Sequence, residues 1–169
     1  MNVHRRTLGA SLLGLLVTAR SAIADGGATS RDALAQANER IIRRYFDEAW
    51  GRGNLDVLDE ILAPDYVNHT PSTPNPPVGP SGLKPIILAF RRAFPDLHYE
   101  IEEIIATPDH VVARVWMTGT QTGELFGNRP SGKRVRIMQI NIERIVNGRI
   151  VSHWRVTDEL TLMKQIGAI

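Results

Sequence analysis

The chain contains no cysteine. That single absence removes a disulfide framework, a thiolate nucleophile and every cysteine-based zinc site. It leaves the redox compartment open, since a chain without thiols suits either side of a membrane. Long apolar runs are missing too: Leu8 to Val17 spans about ten residues, too few for a stable bilayer anchor. Nowhere do His, Asp and Glu gather at metal-ligand spacing, and there is neither a G-x-S-x-G elbow nor a phosphate loop. A site without metal or cofactor is therefore the expectation.

An excess of one charge is also lacking once the amino terminus is considered. "MNVHRRTLGASLLGLLVTARSAIADGG" has a positive start, an apolar middle and a small-residue site at Ala22-Ile23-Ala24. That is the layout of an export signal cut before Asp25, and the Arg5-Arg6 pair hints at twin-arginine export. Residues 1–24 are read as a signal peptide and 25–169 as one domain, expected in the periplasm or outside the cell. Cleavage removes Arg5, Arg6 and Arg20 and no acid, so 20 bases fall to 17 against 18 acids. A near-neutral domain has no electrostatic basis for binding nucleic acid.

What is present is ordinary globular material. Hydrophobic residues make up 43% and charged residues 22% of the 169, which suits one folded domain and excludes global disorder. From Ser30 the spacing of Leu34, Ala37, Ile41, Ile42, Tyr45, Phe46 and Ala49 predicts a helix, ended by Gly51 and Gly53. Asn54 is placed to cap a short second helix that Pro64 stops. Six prolines from Pro64 to Pro80 then predict a surface loop, either a binding loop or a plain connection. A third helix is expected from Ser81, with Pro95 and Asp96 ending it.

After Leu97 the period changes to two. "LHYEIEEIIA", "HVVARVWMTG", "RVRIMQINIERI" and "RIVSHWRV" read as four antiparallel strands, with Asn147-Gly148 the clearest turn. Helices first and strands after predict an α+β fold: a curved antiparallel sheet wrapped around the N-terminal helices, leaving a pocket between them.

Several residues in that frame are suited to chemistry. Gln139, Asn141 and Glu143 share one strand face, opposite Met138, Ile140 and Ile142. Two amides two residues apart, about 7 Å, suit a growing negative charge, or simply a solvated face. His69 stands beside Asn68 at the start of the proline-rich loop and is a candidate proton carrier. His153 and Arg155 share one parity, and Trp154 and Asp158 the other. Asp158 fits an acid/base role or the cap of a helix starting at Glu159.

"DYVNHTP", "GPSGLKPIILAFRRAFPDLHYEIEEII", "VVARVWMTGTQTGELFGNRPSGKRV" and "NGRIVSHWRVTDELTLMKQIGA" together resemble the SnoaL-like polyketide (ester) cyclases. The resemblance runs from about Glu39 to Ala168. It implies a cone-shaped α+β barrel, assembled as a dimer or tetramer, that binds a small molecule and uses no cofactor. Family members close an aromatic polyketide ring by intramolecular aldol condensation, with a carboxylate as acid/base. Asn68 and Gln139 match family positions; where the cyclases carry a histidine, this chain has Asn141. His153, Trp154 and Trp116 are expected to line the pocket as well.

The departure lies two residues after His153. There the cyclases place their acid/base aspartate, and this chain has Arg155. Arginine cannot act as a base at neutral pH. Either Arg155 points outward, or it pairs with a carboxylate of the protein or of a ligand. Asp158 and His69 are left as substitute acid/bases. Three readings follow: a cyclase-like enzyme, a non-catalytic small-molecule binder, or a homodimerisation module.

Overall fold

The computed structural model describes residues 17–169, with side chains from Gly27 onward. The expected export signal falls outside the described residues, apart from the helical backbone of its last part. Among the described residues no helix is long and apolar enough to cross a membrane.

Helix α1 spans Val17–Arg44 and passes directly into a π-helical segment, Tyr45–Arg52. The wider turn brings Tyr45, Phe46, Ala49 and Trp50 inside together. Gly53 ends the segment at φ 74°, a left-handed backbone that glycine adopts without a Cβ penalty. Arg91 of the third helix donates to the freed carbonyls of Trp50 and Gly51, at 2.8 and 2.5 Å. Helix α2 (Val57–Ile61) begins after Asp56, so Asn54 is not its cap. Helix α3 (Pro80–Ala93) begins after Gly79 rather than at Ser81, because proline at the first helical position needs no donor.

Five strands make one sheet: β1 (Leu62–Asn68), β2 (His98–Ala106), β3 (His110–Thr120), β4 (Arg134–Val146) and β5 (Arg149–Thr157). Their order is β1-β5-β4-β3-β2. Four strands, β2 to β5, form an antiparallel meander, and their limits fall within one or two residues of those expected. The fifth, β1, corrects two expectations. It runs parallel to β5, which makes the sheet mixed, and it includes Pro64, which the proline spacing alone puts in a loop. An edge strand tolerates proline, since one side of its backbone needs no donor, and the register breaks between Leu62 and Val67. Helix α4 (Glu159–Ile166) closes the chain against β4.

Alternation holds the layers together. Val111, Ala113, Val115 and Met117 of β3 point inward, as do Val135 and Ile137 of β4. They meet Ile42, Phe46, Leu58, Ile87, Phe90 and Phe94 from the helices in one continuous core. Each of these side chains larger than alanine contributes about 1.5–3 kcal/mol by leaving water. Against this apolar lining, four inward residues of β4 and β5 stand out as buried and polar: Gln139, Asn141, Glu143 and His153.

Candidate active site

The innermost polar group is a pair. Glu143 and His153 face each other in the β4–β5 register, with Glu143 Oε1 2.7 Å from His153 Nδ1. Both side chains are almost wholly buried, at 1% and 3% exposure. A bulge creates the arrangement. Arg144 pairs with Ser152 and Ile145 with Ile150, so Val151 is an extra residue, and Ile150 and His153 both turn inward three positions apart. Burial pushes the Glu143 carboxyl above the ordinary carboxylate range, while His153 and then Arg155 draw it back. The Tyr45 ring stands 6.4 Å from that of His153. Burial raises the Tyr45 and Tyr66 phenols, which therefore stay protonated at neutral pH.

One step toward the mouth, Asn141 is opposite Arg155, and beyond them Gln139 is opposite Thr157. Asn141 Nδ2 and Thr157 Oγ1 are buried without a hydrogen-bond partner. Such groups are uncommon in folded interiors because each costs about 1–3 kcal/mol. Arg155 faces inward, lining one hollow with Gln139 and Thr157, and its charge lowers the pKa of Tyr45, Tyr66, Tyr99 and Glu143 against the larger effect of their burial. Its Nη2 donates to Ser72 Oγ at 2.8 Å, and its backbone N–H to Thr70 Oγ1 at 2.7 Å. The proline-rich loop is thus fastened across the mouth at two points.

The space behind that loop is small. Ile137, Gln139, Arg155, Thr157 and Leu162, with Ser72, Phe90 and Phe126, enclose about 10 Å³, room for about one water. Beside it, a hollow of about 140 Å³ lies between Ile86, Ala89 and Phe90 on one side and Leu125 and Phe126 on the other. Ser72, Phe90 and Phe126 belong to both. Phe126, half exposed at φ 50°, packs edge-on against Phe90 at 5.8 Å. Its hairpin is pinned by the fully buried Gln121, which binds Gly123 O, Arg129 O and Ser131 N. Larger hollows near Asp47 and His98, and near Asp59 and Arg149, do not reach the polar interior. Among the described residues no cluster of His, Asp and Glu is arranged to hold a metal.

Residues 40–166 match the family described as SnoaL-like polyketide cyclase. The chain belongs to that family. Aklanonic acid methyl ester cyclase DnrD of Streptomyces peucetius is 30% identical over 129 residues, covering 75% of this chain and 88% of the relative. Nogalonic acid methyl ester cyclase of Streptomyces nogalater is 28% identical over 120 residues, covering 70% and 90%. Among solved structures, TsrD from Streptomyces laurentii superposes with a TM-score of 0.73 at 27% identity, over 79% of this chain and 97% of that one. The α+β fold inferred from the sequence is the SnoaL-like fold.

Within this SnoaL-like cone, Gln139, Asn141, His153 and Arg155 converge on the inner face. Asn68 joins them beside His153 by register, its side chain accepting from the Thr70 amide at 3.0 Å. The other expected residues do not enter. His69 is exposed and stacks on Trp154 outside the sheet, rings 4.5 Å apart and 4° from parallel. Trp116 lies on the same outer face, under the Arg136 guanidinium at 3.6 Å. Asp158 faces solvent and caps α4, accepting from the Thr161 amide at 3.0 Å. Parity explains all four: each sits one residue out of phase with the inward set, or beyond the end of the strand.

Glu143, Tyr45, Tyr66, Ser72 and Thr157 were not foreseen as site residues. For Glu143 a signal existed, since it shares the face of Gln139 and Asn141. What the sequence did not supply was which face the helices cover.

Proposed function

We propose that this protein performs cofactor-independent acid–base chemistry on a small, largely apolar molecule held in the cone. The observation that carries the reading is the buried Glu143–His153 pair at 2.7 Å. A carboxylate and an imidazole inside an apolar lining form a proton-handling unit, and raised carboxylate basicity is what abstraction of a proton beside a carbonyl requires. Here the acid stands on β4, across from the strand on which the family's cyclases place it.

In an aldol-type ring closure the pair takes a proton from the carbon next to a carbonyl. The resulting enolate carbon attacks a second carbonyl of the same molecule, one carbon–carbon bond forms, and the new alkoxide receives a proton. Nothing else is consumed. Asn141, whose buried amide N–H has no partner, and Gln139, on turning its amide from Met117 Sδ, would hydrogen-bond the oxygens on which charge develops. The relatives' names support polyketide acids as the substrate class to try first, each as its methyl ester and as the free acid.

The test is cyclisation of, and solvent deuterium uptake by, nogalonic acid and aklanonic acid, each as its methyl ester and as the free acid. Turnover or exchange that falls about 10²–10⁴-fold in Glu143→Gln supports the reading. Exchange unaffected by Glu143→Gln and by His153→Gln refutes the assignment of the pair.

A second reading, a non-catalytic binding protein, is supported by Arg155, which stands where the resemblance implies the family's acid/base aspartate. Both readings include export, supported by the layout of residues 1–24, and self-association, supported by the outer sheet face. There Ile140, Ile142, Trp154 and Val156 are 38–74% exposed.

A further inference from the structure

The guanidinium of Arg155 is the inward-facing charge that the protein itself leaves least answered. It has five donors, and one of them reaches a partner, the neutral hydroxyl of Ser72. Among the described residues it forms no ion pair. Two carboxylates are near enough to matter. Glu143 is already engaged by His153, and Glu159 lines the same hollow from the exposed first turn of α4 without closing onto Arg155. Thr157 Oγ1, also on that hollow, is buried with no partner, while Gln139 lines the hollow with its amide N–H turned to Met117 Sδ at 3.9 Å. A guanidinium answered by one neutral hydroxyl, beside a buried hydroxyl with no partner, around one small void, is the donor set of an anion subsite.

We infer that the pocket takes a free carboxylic acid in preference to its ester. The ligand carboxylate binds Arg155 and Thr157, and takes the place that Ser72 now occupies on the guanidinium. The inference rests on the small-molecule pocket proposed above and names the class of molecule it admits. Methylation would remove the charge that Arg155 recognises and block one of the two oxygens, so the preference should be large. It also assigns Ser72 a role: its hydroxyl satisfies the guanidinium while the site is empty, and is released together with the proline-rich loop when an acid arrives.

The experiment is isothermal titration of the full chain with 2-naphthoate and methyl 2-naphthoate, using wild type, Arg155→Gln and Ser72→Ala. The expected result is acid binding about tenfold or more tighter than ester in wild type, a preference lost in Arg155→Gln. Acid binding by Ser72→Ala should be unchanged or tighter, since a competitor has been removed. Equal affinity for acid and ester overturns the acid subsite and leaves the pocket standing; binding of neither overturns both. A preference that survives Arg155→Gln overturns the assignment to Arg155. Weakening of the acid by Ser72→Ala to the level of Arg155→Gln overturns the displacement. Circular dichroism of each variant separates these outcomes from misfolding.

Discussion

Glu143 and His153 lie directly opposite each other on adjacent strands, joined side chain to side chain inside the core. The pair has a cost as well as a use. Burial holds the Glu143 carboxyl above its ordinary range, so the folded state keeps that proton to higher pH than the unfolded chain does. Between the ordinary glutamate value of about 4.3 and the raised folded value, the native state binds more protons, and stability falls as pH rises.

Glu143→Gln removes this dependence. Urea midpoints measured from pH 4.5 upward should show the variant gaining on wild type as pH increases. A constant difference across that window would mean that Glu143 titrates normally in the fold.

Asp158 provides the contrasting case. Its carboxyl is held below the ordinary range by hydrogen bonds from the Thr161 side chain and amide at the start of α4. Its contribution is present above the ordinary aspartate value and disappears as pH falls through the lowered one. Asp158→Ala should lower the melting temperature at neutral pH, and Asp158→Asn should lower it less, since asparagine also caps. Neither should alter turnover or ligand binding by more than about twofold. A larger loss would return Asp158 to the site.

Gly82 tests how the proline-rich loop is seated. A Cβ at this position would overlap the Pro77 carbonyl oxygen, a backbone atom that cannot rotate away. Gly82→Ala should cost about 1–3 kcal/mol in denaturant titrations and open the loop to limited proteolysis between Thr70 and Gly79. A stable variant with a protected loop would show that the loop is not held as described.

The outer face of the sheet makes the fourth prediction. Ile140 faces Val156 across β4 and β5, both exposed. Analytical ultracentrifugation should find the wild-type protein as a dimer or larger, and Ile140→Asp with Val156→Asp as a folded monomer. A monomeric wild type would end the proposal of self-association through this face.

The meander was legible because period-two alternation persists through β2 to β5, and Asn147-Gly148 adopts the positive φ values (51° and 72°) that a tight hairpin needs. Strand β1 was not, because Pro64 argues against a strand locally and the pairing that rescues it comes from the far end of the chain. The site was half legible. Parity grouped Gln139, Asn141 and Glu143 correctly, and grouped His153 with Arg155. Deciding that this face is the inner one required knowing where α1 and α3 pack, a long-range fact. Pairing Glu143 with His153 rather than Ser152 required the extra residue at Val151, which no local signal marks.

The β1–β5 pairing also sets an order of events. Leu62 finds its place only against Ile150, and His69 donates its amide to the carbonyl of His153. Contacts this distant along the chain form late, because a long loop must close before they return any free energy. The meander can assemble from neighbours, strand by strand, but the edge strand and the loop anchored by Thr70 and Ser72 must wait for β5. A nascent chain therefore holds an open-mouthed cone first, and the mouth is the last part of the molecule to be made.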